Sequence, residues 1–110
     1  MAFNNGRFYF KTTRNGNLIG EFSNNASKEI CTESCDLQPP SLQGANAAYS
    51  GKYYSTWQEN GKPCFAELTI SPKVGNIIFT LEWRGMKGTG NFDGEGMLCD
   101  DILIGDYRSV

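Results

Sequence analysis

Four cysteines, Cys31, Cys35, Cys64 and Cys99, are the side chains of this 110-residue sequence best suited to covalent or metal chemistry. Cys31 and Cys35 stand four apart, so a helical turn would set their thiols side by side. Together with Cys64 and Cys99 they could form a four-thiolate metal site, or act as a redox pair. Their spacing is not that of a zinc ribbon or finger, in which close pairs recur. Cys64 also reads as an inward core residue. The expectation is free, partly buried thiols with no metal and no cofactor. The chain has no histidine, which removes the commonest general base and the commonest metal ligand.

Carboxylates are the other chemical candidates. Glu67 and Glu82 fall on outward positions of neighbouring strands, and Asp93, Glu95 and Asp106 on outward positions of the last two. A carboxylate pair that cleaves a bond needs a cleft and two separated environments. Exposed acids on a sheet surface serve solvation, so no catalytic residue is assigned and a non-enzymatic protein is expected. Gly85, Gly88 and Gly90 do not join a strand to a helix, so they make no phosphate loop. Aromatics beside Lys11, Lys52 and Arg84 could stack bases, but a net charge of −2 leaves no basic footprint for nucleic acid.

With 39% hydrophobic and 20% charged residues the chain reads as globular. Residues 1–110 form a single domain of ordinary size. No apolar run approaches the ~20 residues of a membrane helix, so no membrane partner is expected. The opening residues lack the charged start and long apolar stretch of a signal peptide. A cytoplasmic protein with reduced thiols is the expectation.

Positioning these groups falls to β-strands. Arg7–Thr13 and Leu18–Phe22 flank Arg14–Asn15–Gly16, and Tyr53–Gln58 and Cys64–Ile70 flank Asn60–Gly61. Asn-Gly between two β-rich runs is a hairpin signal. Residues 71–76 turn the chain into Ile77–Trp83. A glycine-rich stretch then leads to Phe92–Leu98, and Asp100–Asp101 turns it into Ile102–Arg108. The exception is 24–50, a long polar connection with Pro39–Pro40 and the small residues Gly44–Ala48. One short element, a helical turn or irregular strand, is expected near Ser27–Cys35, with a loop over one barrel end.

Facing residues must share a side, which tests each register. Pairing Ile70 with Ile77 sets Leu68 against Phe79, Ala66 against Leu81 and Cys64 against Trp83, all apolar. Asp100–Asp101 as a two-residue loop sets Leu98 against Leu103, Gly96 against Gly105 and Gly94 against Tyr107. Outside, Glu95 then faces Asp106. That pair implies a nearby cation, a slipped register or a weak cation site of oxygen ligands. A three-residue loop at Arg14–Gly16 aligns Phe8, Phe10 and Thr12 with Phe22, Gly20 and Leu18. For the Asn60–Gly61 hairpin two registers stay open, one turning Trp57 inward opposite Cys64 and one turning Tyr54 inward.

Gly20, Gly94, Gly96 and Gly105 all fall on the apolar face. Inward glycines let a sheet bend under covering rings, or leave room beside them. The fold class expected is therefore all-β: an antiparallel up-and-down barrel of about eight strands with one long polar connection. Such a barrel is either filled by side chains or holds one small ligand. The candidate ligand-binding residues are Trp83, Phe79, Tyr107 and Trp57.

Gly6–Arg7–Phe8 opens the first strand, and Arg108 sits near the end of the last. In these features and in hairpin order the chain resembles calycin-type barrels, the group of lipocalins, fatty-acid-binding proteins and avidins. Phe8 stands where that group has Trp, and neither a biotin-site pattern nor a helical lid is present. The resemblance implies a ligand-binding barrel in which Arg108 packs over Phe8 as a structural closure. The expected partner is a small apolar or aromatic ligand. The alternative is a homodimer joined through outward Phe65, Ile78 and Tyr54.

Overall fold

Turn chemistry starts the fold. Thr13 N donates to the Asn17 carbonyl at 2.7 Å, leaving Arg14–Asn15–Gly16 as a three-residue loop with Gly16 at φ 82°. Asn60 and Gly61 both have positive φ, 54° and 77°, as a two-residue type I′ turn requires. The computed structural model describes residues 4–38 and 48–110. The expectations for Pro39–Pro40, and for the 44–48 patch up to residue 47, lie outside the described residues.

Eight strands form: β1 (Asn5–Thr12), β2 (Leu18–Asn24), β3 (Ser27–Leu37), β4 (Gly51–Glu59), β5 (Lys62–Val74), β6 (Ile78–Met86), β7 (Phe92–Cys99) and β8 (Ile102–Ser109). Each pairs antiparallel with the next, and β8 pairs with β1. The sheet is therefore a closed up-and-down barrel without a free edge.

Two hairpins keep the expected register. Phe8 faces Phe22 and Phe10 faces Gly20. Leu98 faces Leu103, Gly96 faces Gly105 and Gly94 faces Tyr107. The open question at Asn60–Gly61 resolves with Trp57 opposite Cys64, Trp57 buried and Tyr54 exposed.

The β5–β6 hairpin differs. Its turn comes later, at Gly75–Ile77, because the chain runs on as strand through Pro72 with a bulge before Val74. Leu68 therefore faces Trp83, Ala66 faces Gly85 and Pro72 faces Phe79. The expected row of Trp57, Cys64 and Trp83 across three strands does not form, and Ile77 is exposed in the turn. The slip moves Leu68 from Phe79 to Trp83, an even number of residues, so each side chain keeps its side of the sheet. Ala66, Leu68, Ile70, Phe79, Leu81 and Trp83 are all buried.

The expected short element near Ser27–Cys35 is a full strand. Asn24 Oδ1 accepts from Ala26 N and Ser27 N, an Asx turn that reverses the chain into β3. Inward positions along β3 are Cys31, Glu33 and Cys35, all buried, while Ile30 faces out. Cys31 and Cys35 are thus four strand residues apart, about 13 Å, with Glu33 between them. The side-by-side thiols of a helical turn do not occur.

The barrel is plugged at one end. Tyr49 OH lies 3.0 Å from the Phe10 carbonyl and also bonds the Asp101 carbonyl, while Tyr53 OH donates to the Tyr49 carbonyl at 2.9 Å. The Tyr49 ring packs on Phe79. Outside, the facing acids Glu95 and Asp106 are answered by cations: Lys73 bonds Glu95, and Arg7 Nε is 3.9 Å from Asp106. Arg108 does not pack over Phe8. Alternation on β8 turns Tyr107 inward and Arg108 outward, beside Asp93. Phe8 packs instead on Phe10 and edge-on to Trp83.

Candidate functional site

The other end of the barrel is open. Its mouth is lined by Phe8, Phe22, Glu33, Trp57, Glu59, Trp83, Phe92 and Tyr107. β4 brings Trp57, β6 brings Trp83 and β8 brings Tyr107, each at an inward position near the same end of its strand. Three of the four expected ligand residues therefore meet. Phe79 does not join them: it is inward on β6 but lies against Tyr49 at the plugged end.

The rings stand edge to face, except that Trp83 and Tyr107 are tilted at 55°. Trp57 packs on Phe22 and Phe92 at 6.2 Å between centroids, and Tyr107 packs on Phe22, Trp83 and Phe92 at 5.8–6.0 Å. Edge-to-face packing fixes ring orientation as well as burying area. Tyr107 also covers a glycine: a Cβ on Gly6, its cross-strand partner, would lie 2.4 Å from the Tyr107 ring. The inward glycines thus admit covering rings, and little space remains. The cup leaves about 20 Å³ free, room for about one water. With the open mouth included, the free space between the lining side chains is about 300 Å³.

Below the rings lies a carboxylate. Glu33 is 5% exposed. Its Oε2 accepts from Trp83 Nε1 at 2.8 Å, from Ser55 Oγ and from Cys35 Sγ at 3.8 Å. Burial pushes the Glu33 carboxyl up to about 7, against the pull of those three donors. Burial and the neighbouring Glu33 charge hold the Cys35 thiol well above its ordinary range. At the rim, Glu59 accepts from Asn24 Nδ2 at 2.8 Å and from Trp57 Nε1 at 3.4 Å. Asn24 Nδ2 also donates to Tyr107 OH at 2.9 Å. Burial raises the Tyr107 phenol, and the charges of Glu59 and Glu33 add to it.

Chemically this is an aromatic cup with acid at its floor and rim. A carboxyl titrating near neutrality can hold or release a proton. No activated nucleophile accompanies it: Ser55 is buried and spends its proton on Glu33, and a raised thiol is a poor nucleophile. Among the described residues no group of three or more Cys, Asp or Glu is placed to hold a metal ion.

Glu33, Glu59, Asn24, Phe8, Phe22 and Phe92 are absent from the expected site. The signal for Glu33 was its place midway between Cys31 and Cys35, which only a strand reading of that segment makes inward. Glu59 shares the parity of Trp57, two residues on, just before the Asn60–Gly61 turn.

The chain matches no protein-family model, no curated protein and no solved structure. The likeness to calycin-type barrels rests on architecture: eight antiparallel strands in up-and-down order, closed on themselves.

Proposed function

We propose that this chain is a non-enzymatic binding protein that takes a small, mostly apolar or aromatic ligand at the open mouth. The observation that carries the reading is the convergence of Trp57, Trp83 and Tyr107, from three different strands, on one accessible cup. Convergent aromatics with a few placed polar groups are what a small-molecule site needs. Among the described residues the opposite end is closed by Tyr49, which leaves the mouth as the way in. A ring-sized ligand needs the rim to yield, and Phe92 and Tyr107 are its half-buried rings.

The test is titration with indole and with naphthalene, followed by tryptophan fluorescence and by the indole N–H resonances of Trp57 and Trp83. Saturable shifts at Kd values of about 1 mM or tighter, lost in Trp57→Ala, support the reading. No shift with either probe overturns it. Native mass spectrometry of protein from its own host would then report a retained ligand.

One observation favours a second reading, a homo-oligomer joined through the outer sheet face. Ile78, Met97 and Ile104 form a row across β6, β7 and β8, with Met97 53% and Ile104 51% exposed. The expected trio of Phe65, Ile78 and Tyr54 does not assemble. Ile78 pairs with Val74, far along β5 from Phe65, and Lys87 Nζ sits over the Phe65 ring at 4.7 Å. Sedimentation of wild type and Met97→Lys tests this: a strict monomer at high concentration removes it.

A further inference from the structure

The mouth holds more negative charge than an apolar cargo calls for. Among the described residues its lining includes two carboxylates, Glu33 and Glu59, and no Lys or Arg side chain. The rest is aromatic, and ring faces attract cations.

Glu33 is also used unevenly. All three of its donors converge on Oε2, and Oε1 has no donor among the described residues. Yet no fully buried side-chain oxygen in those residues lacks a hydrogen-bond partner. Oε1 therefore reaches the void that Glu33 lines. A neutral hydrocarbon seated there would desolvate that oxygen without pairing it, which is unfavourable. An anion would meet both carboxylates. A group that donates N–H and carries positive charge meets the oxygen, the rings and Glu59 together.

Size narrows the class further. The cup leaves about 20 Å³ free, room for about one water, and a primary ammonium head is of similar size. A trimethylammonium head is several times larger and has no N–H to donate. We propose that the ligand is a primary arylalkyl ammonium, its head seated in the void against Glu33 Oε1 and its ring held among Phe92, Tyr107 and Trp57. This inference rests on the reading of the mouth as a ligand site and adds to it the charge and shape of the ligand.

The experiment compares three probes on the full chain by calorimetry and tryptophan fluorescence: 2-phenylethylamine, 2-phenylethanol, and the N,N,N-trimethyl derivative of the amine. In wild type the amine binds roughly tenfold or more tighter than the alcohol, and the trimethyl derivative binds more weakly than the amine. Glu33→Gln brings the amine to the level of the alcohol measured on the same variant, and Glu59→Gln removes a smaller part of the preference. A folded Glu33→Gln barrel is checked by its near-ultraviolet dichroism. Should Glu33→Gln fail to fold, Glu59→Gln with the trimethyl probe still decides: a lost part of the preference and a weaker trimethyl derivative support the assignment, and equal values overturn it. If amine and alcohol bind wild type equally, the ammonium assignment falls and the ligand site stands. If neither binds, both fall. An amine preference that survives Glu33→Gln also overturns the assignment.

Discussion

Trp83 on β6 donates its indole N–H to Glu33 on β3 at 2.8 Å, across the inside of the barrel. The bond joins a ring that closes the cup to the acid beneath it, both almost fully buried. Trp83→Phe keeps an aromatic ring, a smaller one, and deletes the donor; the pH dependence of its cost isolates the hydrogen bond. Its expected cost at about pH 8 is roughly 2–3 kcal/mol, as for a hydrogen bond to a buried charge. The cost is smaller at about pH 5, where the carboxyl is neutral. Urea unfolding at the two pH values measures both, and equal losses would show that Glu33 does not ionise in the folded chain.

Glu33 also sets a pH dependence. Its folded-state value of about 7 lies above its ordinary value of 4.5, so the folded chain binds this proton more tightly than the unfolded one. The resulting stability is complete below about pH 4.5 and is lost as the pH rises through 7, amounting to roughly 3 kcal/mol. Wild type should therefore unfold at higher denaturant near pH 5 than near pH 8. Glu33→Gln should flatten that difference and raise stability at the alkaline end. A wild-type stability curve flat from pH 5 to 8 would contradict the assignment.

The plugged end depends on Tyr49. Tyr49→Phe removes the hydroxyl from the Phe10 and Asp101 carbonyls while keeping the ring on Phe79. A loss of about 1–3 kcal/mol is expected, together with faster amide hydrogen exchange around the β7–β8 turn. Exchange rates unchanged there would show that the hydroxyl does not pin the turn.

Gly105 marks where β7 and β8 come too close for a side chain. A Cβ there would lie 1.9 Å from the Glu95 carbonyl oxygen and 2.7 Å from Gly96 Cα. Both are backbone atoms, so a strand must move. Gly105→Ala should cost about 3 kcal/mol, whereas Gly90→Ala, with nothing within 4 Å, should change stability by less than about 0.5 kcal/mol. Thermal melts of the two variants make the comparison.

The thiols should separate by burial. Cys99 is exposed, and Cys35 is buried with its thiol held well above the ordinary range. An aromatic disulfide reagent should label Cys99 promptly and reach Cys35 only on unfolding. Prompt labelling of Cys35 in folded protein would mean that the floor of the cup opens freely.

The hairpins at Arg14–Gly16 and Asp100–Asp101 were legible in sequence, register included. Each has a short turn with its own chemistry and an apolar face that only one register assembles. β5–β6 was half legible. Its inner face was readable because alternation survives an even slip, but the position of its turn was not. Nothing local forces the chain to turn before Pro72 when β6 offers strand partners beyond it. β3 stayed open between a helical turn and an irregular strand, and its length was missed, because its inward residues are Cys31, Glu33 and Cys35 while Ile30 faces solvent. A strand with an acid at the centre of its buried face hides its own period.

By itself, then, the sequence determined an all-β chain, most of its inward faces and the meeting of aromatics with glycines, since turn residues and alternation act over a few neighbours. Only the tertiary structure decided which end of the barrel is open. Phe79 and Trp83 share one face of β6, yet one packs beneath Tyr49 and the other beside the mouth. Ser55 comes to Glu33 from the neighbouring strand β4, but only closure of the barrel brings Trp83 of β6 across to it. A buried carboxylate needs donors that local sequence does not provide, and the indole N–H reaches it only across the closed barrel.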